Sequence, residues 1–290
     1  MTQALMFGIG AASAQSVLER ATNPYYAKAL RLNPAYDEAI ALRNKVFAHR
    51  GQHALSRPHA PVMPITVEDE IHEWLTATTA AAAAEAEWAA IDQSLAELIA
   101  ACEHRIQGVG MDRDAILQSL NGDLKTLMAE VKDVVERLDG ARTPAQVIAA
   151  GTGDAWNELG ELRSDYEQIR DAQEKAMLGA PEAAMGRSNY LWDDPLASDT
   201  HIANLDDVFP GWRDKQPATY ANMSHSWDGR KQPWSKDPIE QLVWLASSAA
   251  RPWIPTTSQL TALWTRRRER RAHPNGKPTT PPRIHDLSRP

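Results

Sequence analysis

Seven apolar residues, Ile116, Leu120, Leu124, Leu127, Val131, Val134 and Leu138, follow one another at alternating steps of four and three. That spacing draws a single stripe along an α-helix, because two helical turns take about seven residues. On a strand the same residues would be split between two faces. The stretch from about 112 to 139 is therefore expected to be a helix laid against another helix.

Its neighbours in the chain follow the same rule. Thr66 is placed to cap a long helix running to about Gln107, with Glu68, Asp69 and Glu70 in the first turn, where the helix dipole favours acids. Trp88, Ile91, Leu95, Leu98, Cys102 and Ile106 mark its seam, and Gly108-Val109-Gly110 is expected to break it. After Gly140 and a short helix begun by Thr143-Pro144, the stretch from Asp154 to Leu178 carries Trp156, Leu159, Leu162, Tyr166 and Ile169 on one side. Short connections between amphipathic helices imply antiparallel neighbours, so residues 66–178 are read as a helical bundle or coiled-coil arm.

Upstream, residues 1–50 form an N-terminal helical segment, with helices expected over 3–20, 25–32 and 34–49. Asn33-Pro34 combines a capping side chain with a proline suited to the first helical position. Gly51 is expected to stop the third helix, and Pro58, Pro61 and Pro64 make 51–65 a linker. Downstream, periodicity is lost over 179–237. Two short helices are expected over 238–271, the first capped by Asp237 and the second by Thr257 or Ser258, followed by a basic, proline-rich tail at 272–290. The expected class is all-α.

Seven of the ten tryptophans lie from 192 onward, in a segment otherwise rich in proline, glycine and aspartate. Each indole favours burial of well over 100 Å² or so, which a solvated linker cannot offer. Trp192, Trp212, Trp227, Trp234 and Trp253 are thus candidates for pinning an irregular arm to a surface, its own or a partner's. Net charge is −7, but Arg266 to Pro290 holds eight basic residues against two acids, a local +6 that leaves −13 for the remainder. Arg266, Arg267, Arg268, Arg270 and Arg271 with the tail are a candidate contact for something anionic, nucleic acid included.

One cysteine, Cys102, excludes an internal disulfide framework and any zinc site built of cysteines. It fits a reducing compartment. No apolar run reaches the roughly 18 residues of a membrane span. Ala4 to Gly10 followed by Ala12-Ser13-Ala14 faintly imitates a signal peptide without its basic leader. The expectation is a cytoplasmic or virion-associated protein, neither secreted nor membrane-spanning. No nucleotide-binding glycine motif or H-E-x-x-H is present. His49, His53 and His59 lie without paired acids in a proline-broken stretch, so no metal or other cofactor is expected.

One string carries chemistry. Arg43-Asn44-Lys45-Val46-Phe47-Ala48-His49 resembles the R-x(4–6)-H motif of the HEPN superfamily, whose members include metal-independent endoribonucleases of toxin and anti-phage systems. The resemblance implies His49 as general acid/base, Arg43 as the charge stabilising the phosphorane, and Asn44 orienting the phosphate, all at a dimer interface. A group titrating near neutrality beside a fixed cation suits phosphodiester cleavage. Six residues on a helix amount to about 240° net, so Arg43 and His49 could meet only at a helix end or between subunits. Only 42 residues precede the motif, where family members usually place about two long helices.

A second resemblance covers the same region. Tyr26 to Ala39, with Ala29-Leu30-Arg31-Leu32-Asn33-Pro34 at its centre, looks like the junction of two tetratricopeptide repeats, although no second copy occurs at a 34-residue period. There Arg43 and His49 would be ordinary solvated residues. The leading expectation is a non-enzymatic structural or assembly protein, acting through helical and arm contacts with protein partners or itself. The alternative is the HEPN-type endoribonuclease.

Overall fold

The computed structural model describes residues 14–63, 71–141, 144–178, 180, 186–187, 191, 194–213 and 232–272. Helix accounts for 74% of the structure, with ten helices and no strands among the described residues, so the chain is all-α. It divides into two compact units, 1–179 and 180–290.

In the first unit α1 (Ala14–Arg20) and α2 (Pro24–Arg31) lead into α3 (Pro34–Leu55), α4 (Ile71–Met111), α5 (Arg113–Arg137), α6 (Pro144–Ala150) and α7 (Gly153–Met177). The helices pair as α3 with α4 and α5 with α7, while α2 packs against α3, α5 and α7, and α1 against α4. Asn23 begins α2 and ties it down. Its Oδ1 accepts from the backbone N–H of Tyr25 (2.9 Å) and Tyr26 (3.0 Å). Its Nδ2 donates to Gln168 O and to Asp171 Oδ2 on α7, both at 2.8 Å. Asn33 caps α3 in the same manner, with Pro34 at the first helical position.

The seven residues of the α5 seam are all buried, as are Leu159, Leu162 and Ile169 facing them from α7. The seam of α4 differs from the sequence reading. Its partner is α3, and the inner positions are Trp88, Asp92, Leu95, Ile99, Cys102, Ile106 and Val109. Ile91 and Leu98 remain 46% and 40% exposed. Asp92 can take an inner place because Arg50 on α3 meets it with two hydrogen bonds, at 2.8 and 2.9 Å. Counting apolar side chains alone misphases such a helix.

Two expected breaks are also corrected. Gly108 and Gly110 stay helical within α4, and Gly110 serves for closeness: a Cβ there would collide with the buried Val17 side chain of α1. Gly51 does not stop α3, which continues to Leu55. Its last turns are held by α4, through His53 on Trp88 and Arg57 paired with Glu85 at 2.8 Å. The boundary expected at 51–65 therefore does not separate two units: α3 and α4 belong to the same one, and the connection between them begins after Leu55. The Thr66 cap lies outside the described residues.

The second unit contains α8 (Leu205–Val208), α9 (Pro238–Ser247) and α10 (Thr257–Ala272). Asp237 caps α9 as expected, accepting from Ile239 N (2.9 Å) and Glu240 N (3.0 Å). For α10 the cap is Thr256, one residue earlier than expected. Its Oγ1 accepts from Gln259 N while Gln259 Oε1 accepts from Thr256 N, a reciprocal capping box. The described part of the tryptophan-rich segment folds onto these helices: Leu196, Ile202, Leu205, Phe209, Leu242, Leu245, Ile254 and Leu260 form a core. Isolated bridges join Arg187 to Ser198 and Ile202 to Pro252.

Candidate functional sites

On α3, Arg43 belongs to the inner face of the hairpin. Its Nη2 lies 3.1 Å from Glu103 Oε1 on α4, and its guanidinium sits over the Phe47 ring, 4.5 Å from the centroid. His49 is six residues on, in the interior of a helix that ends at Leu55, and is exposed, as is Asn44. The structure therefore does not bring Arg43 and His49 together within one chain. His49 instead shares a flank with apolar residues. Tyr36, Ala39, Arg43, Val46, Arg50 and His53 form the inner row of α3, opposite the inner row of α4. Positions three residues beyond an inner residue project to the same side of an antiparallel pair. Leu42 and His49 on α3, and Ile91 and Leu98 on α4, all occupy such positions, and all four are exposed.

The second candidate site is in the other unit, where the tryptophan N–H groups and arginines converge on three aspartates. Asp199 is fully buried. Its Oδ2 accepts from Arg267 Nη1 (2.6 Å), from Trp264 Nε1 (2.9 Å) and from Arg213 Nη2, and its backbone carbonyl accepts from Trp253 Nε1 (2.7 Å). Asp206 accepts from Arg267 Nε (2.6 Å) and from Trp212 Nε1 (2.8 Å). Arg213 stacks over Trp212 at 4.5 Å, with Arg267 at 5.8 Å. Asp194 completes the series, accepting from Trp234 Nε1 and Gln232 Nε2, both at 2.8 Å. Two guanidinium groups thus face two carboxylates, the pairing that buried charge requires, although Asp199 Oδ1 and Arg267 Nη2 are buried without a hydrogen-bond partner among the described residues.

The sequence candidates separate accordingly. Trp212 and Trp234 are buried and Trp253 half-buried, and the N–H of each is hydrogen-bonded within its own unit, as is Arg267. Arg266, Arg268 and Arg270 are exposed. Trp192, Trp227 and the Arg271 side chain lie outside the described residues, as does the tail. Sequence reasoning missed Asp194, Asp199 and Asp206. The available signal was a surplus of indole N–H and guanidinium donors in a stretch too irregular to supply acceptors from regular backbone. Among the described residues no cluster of three or more metal-ligating side chains occurs, and no helix is long and apolar enough to cross a membrane. Comparison with family models, with curated proteins and with solved structures yields no match in any of the three.

Proposed function

We propose that this chain is a non-enzymatic assembly subunit, held in a larger complex such as a virion by contacts of its α3–α4 hairpin with other protein chains. The observation that carries the reading is where apolar surface is left open. The exposed large hydrophobic residues of the described chain all fall between Leu32 and Leu178, most of them on or between α3 and α4. Surface of that kind gathered on one element is what an interaction site leaves behind, whereas scattered apolar residues are ordinary. The tryptophans do not support the reading, since those described are used internally.

One observation favours a second reading, the HEPN-type endoribonuclease: His49 lies on the same open flank as Leu42, Ile91 and Leu98, so a dimer formed there would bring two histidines together. Arg43 weighs against it, being engaged by Glu103 and Phe47. Sedimentation of the purified chain, paired with incubation of the parent and the His49→Ala variant with total RNA, separates the two. The assembly reading expects mass above the monomer, reduced by Leu42→Asp with Leu98→Asp, and no RNA cleavage by either protein. Cleavage lost with His49→Ala would overturn it in favour of the nuclease. A strict monomer at all concentrations would remove self-assembly as its basis.

A further inference from the structure

The helix α4 carries two seams. Trp88, Asp92, Leu95, Ile99, Cys102 and Ile106 form the inner one, against α3. The residue before each of these, namely Glu87, Ile91, Ser94, Leu98, Ala101 and Arg105, falls on a second row with the same alternating steps of four and three. That row is turned about 100° from the first, and all six of its residues are exposed. It holds no charge between its two ends. Glu87 and Arg105 are separated by about five whole helical turns, so they point the same way roughly 27 Å apart. The equivalent row of α3, Glu38, Leu42, Lys45 and His49, is interrupted by the charge of Lys45.

We propose that the second row of α4 docks on the same row of a second copy of this chain, the two helices running antiparallel about a two-fold axis level with Ala96. The inference rests on the assembly reading and names its partner. Self-complementarity of the row selects that partner. A two-fold that sets Glu87 opposite Arg105 of the second copy also sets Ile91 opposite its Ala101 and Leu98 opposite its Ser94, because all three pairs are centred on Ala96. Acid then meets base at both ends, and a large side chain meets a small one at each inner step, the alternation by which helices interdigitate. A parallel pair would set Glu87 against Glu87 and Arg105 against Arg105. Both end charges are available. Glu87 forms no ion pair among the described residues, and Arg105 reaches Glu38 of its own chain at 3.5 Å with both side chains more than half exposed.

The test is sedimentation velocity of the full chain over a range of concentrations, for the parent, for Glu87→Arg, Arg105→Glu and Leu98→Asp, and for the first two variants mixed. We expect a concentration-dependent monomer–dimer equilibrium in the parent. Glu87→Arg sets arginine against arginine at both ends, and Arg105→Glu sets acid against acid, so each alone should raise the dissociation constant at least about fivefold. Mixed in equal amounts, the two are complementary at both ends and should form a heterodimer about as tight as the parent. Leu98→Asp should abolish association. The substituted positions are exposed, and native helicity by circular dichroism distinguishes lost docking from lost folding. A dimer that withstands both charge reversals, or a mixture no tighter than its components, overturns the antiparallel seam while the assembly reading stands. A parent that is monomeric at every concentration overturns it too, and leaves assembly to contacts with other chains.

Discussion

His53 and Trp88 hold each other twice across the α3–α4 hairpin. Trp88 Nε1 donates to His53 O and His53 Nε2 donates to Trp88 O, both at 2.9 Å, while the rings stack with centroids 5.0 Å apart and 10° between planes. Arg57 covers the indole as well, 5.0 Å from its centroid. This clasp keeps α3 helical beyond Gly51. Trp88→Ala should cost about 2 to 3 kcal/mol in denaturant unfolding, below the full range for a buried tryptophan because this one is half-buried. Trp88→Phe retains the stack but loses a donor, for about 1 kcal/mol. In the alanine variant, hydrogen exchange at residues 51–56 should accelerate well beyond that of 36–46. Uniform acceleration along α3 would show that the clasp does not set where the helix ends.

Asp199 is the acceptor on which the second unit depends. Replacing it with alanine leaves Arg267 and Arg213 beside a carboxylate that is no longer there, and strands the Trp264 N–H. Removing one partner from a buried ion pair costs about 3 to 5 kcal/mol. For Asp199→Ala we expect early loss of near-ultraviolet tryptophan dichroism on heating, while far-ultraviolet helicity from the first unit persists. Asp206→Ala, whose carboxylate is 41% exposed, should cost clearly less. Equal effects would mean that burial of Asp199 does not decide its contribution.

The two units were unequally legible from sequence. The α5 seam was readable in full because every inner position of α5 itself is apolar, so spacing and burial coincide there, even though α7 buries Gln173 among its apolar residues. Caps at Asn33 and Asp237 were readable because they are local: a short polar side chain, then proline. The α4 phase was not, since an inner Asp92 makes sense only with Arg50, 42 residues earlier, opposite it. The glycines at 51, 108 and 110 failed as breakers for a related reason, because docking between helices outweighs a propensity cost of about 1 kcal/mol each. The Asp199 network left only a compositional signal, its surplus of donors, because its members are joined by no period. Of the candidate site, the exposure of His49 and the engagement of Arg43 depend on which way α3 faces, which only its partner decides.

Gly110 and Gly108 make a matched pair for testing that docking. Both are helical, two residues apart, and a Cβ at 108 would meet nothing within 4 Å, whereas at 110 it would strike Val17. Val17 is fully buried and stiff at its branched Cβ, so it cannot easily give way. Gly108→Ala should stabilise the first unit by about 0.5 to 1 kcal/mol, the ordinary helix preference for alanine. Gly110→Ala should instead destabilise by about 1 to 3 kcal/mol through overpacking. Val17→Ala in the same chain should relieve much of that penalty. If the two glycine variants behave alike in thermal denaturation, α1 does not rest on α4 as described.

The acid and alkaline limbs of stability should have different owners. Asp92 is held below its ordinary value of 3.8, first by the hydrogen bonds from Arg50 and then by the charges of Arg50, His53 and Arg57, with burial opposing. Burial pushes Asp171 upward, but hydrogen bonds from Lys175 and Asn23 outweigh it and leave this carboxyl low as well. A lowered carboxylate contributes fully above its unfolded value, and the contribution fades as pH falls below 3.8 toward the native value. Tyr25 works in the other direction. Burial, and then the carboxylates of Asp165, Asp123 and Glu130, push its phenol up to about 12, so its contribution is complete below 10.0 and is lost as pH rises from 10.0 to 12. Urea unfolding of the first unit across pH should therefore be level in the middle and fall at both ends. Asp92→Asn should flatten the acid limb, and so should high salt, because that pair is open to solvent. Tyr25→Phe should flatten only the alkaline one, and a Tyr25→Phe chain whose alkaline limb is as steep as the parent's would show that this phenol is not the group responsible.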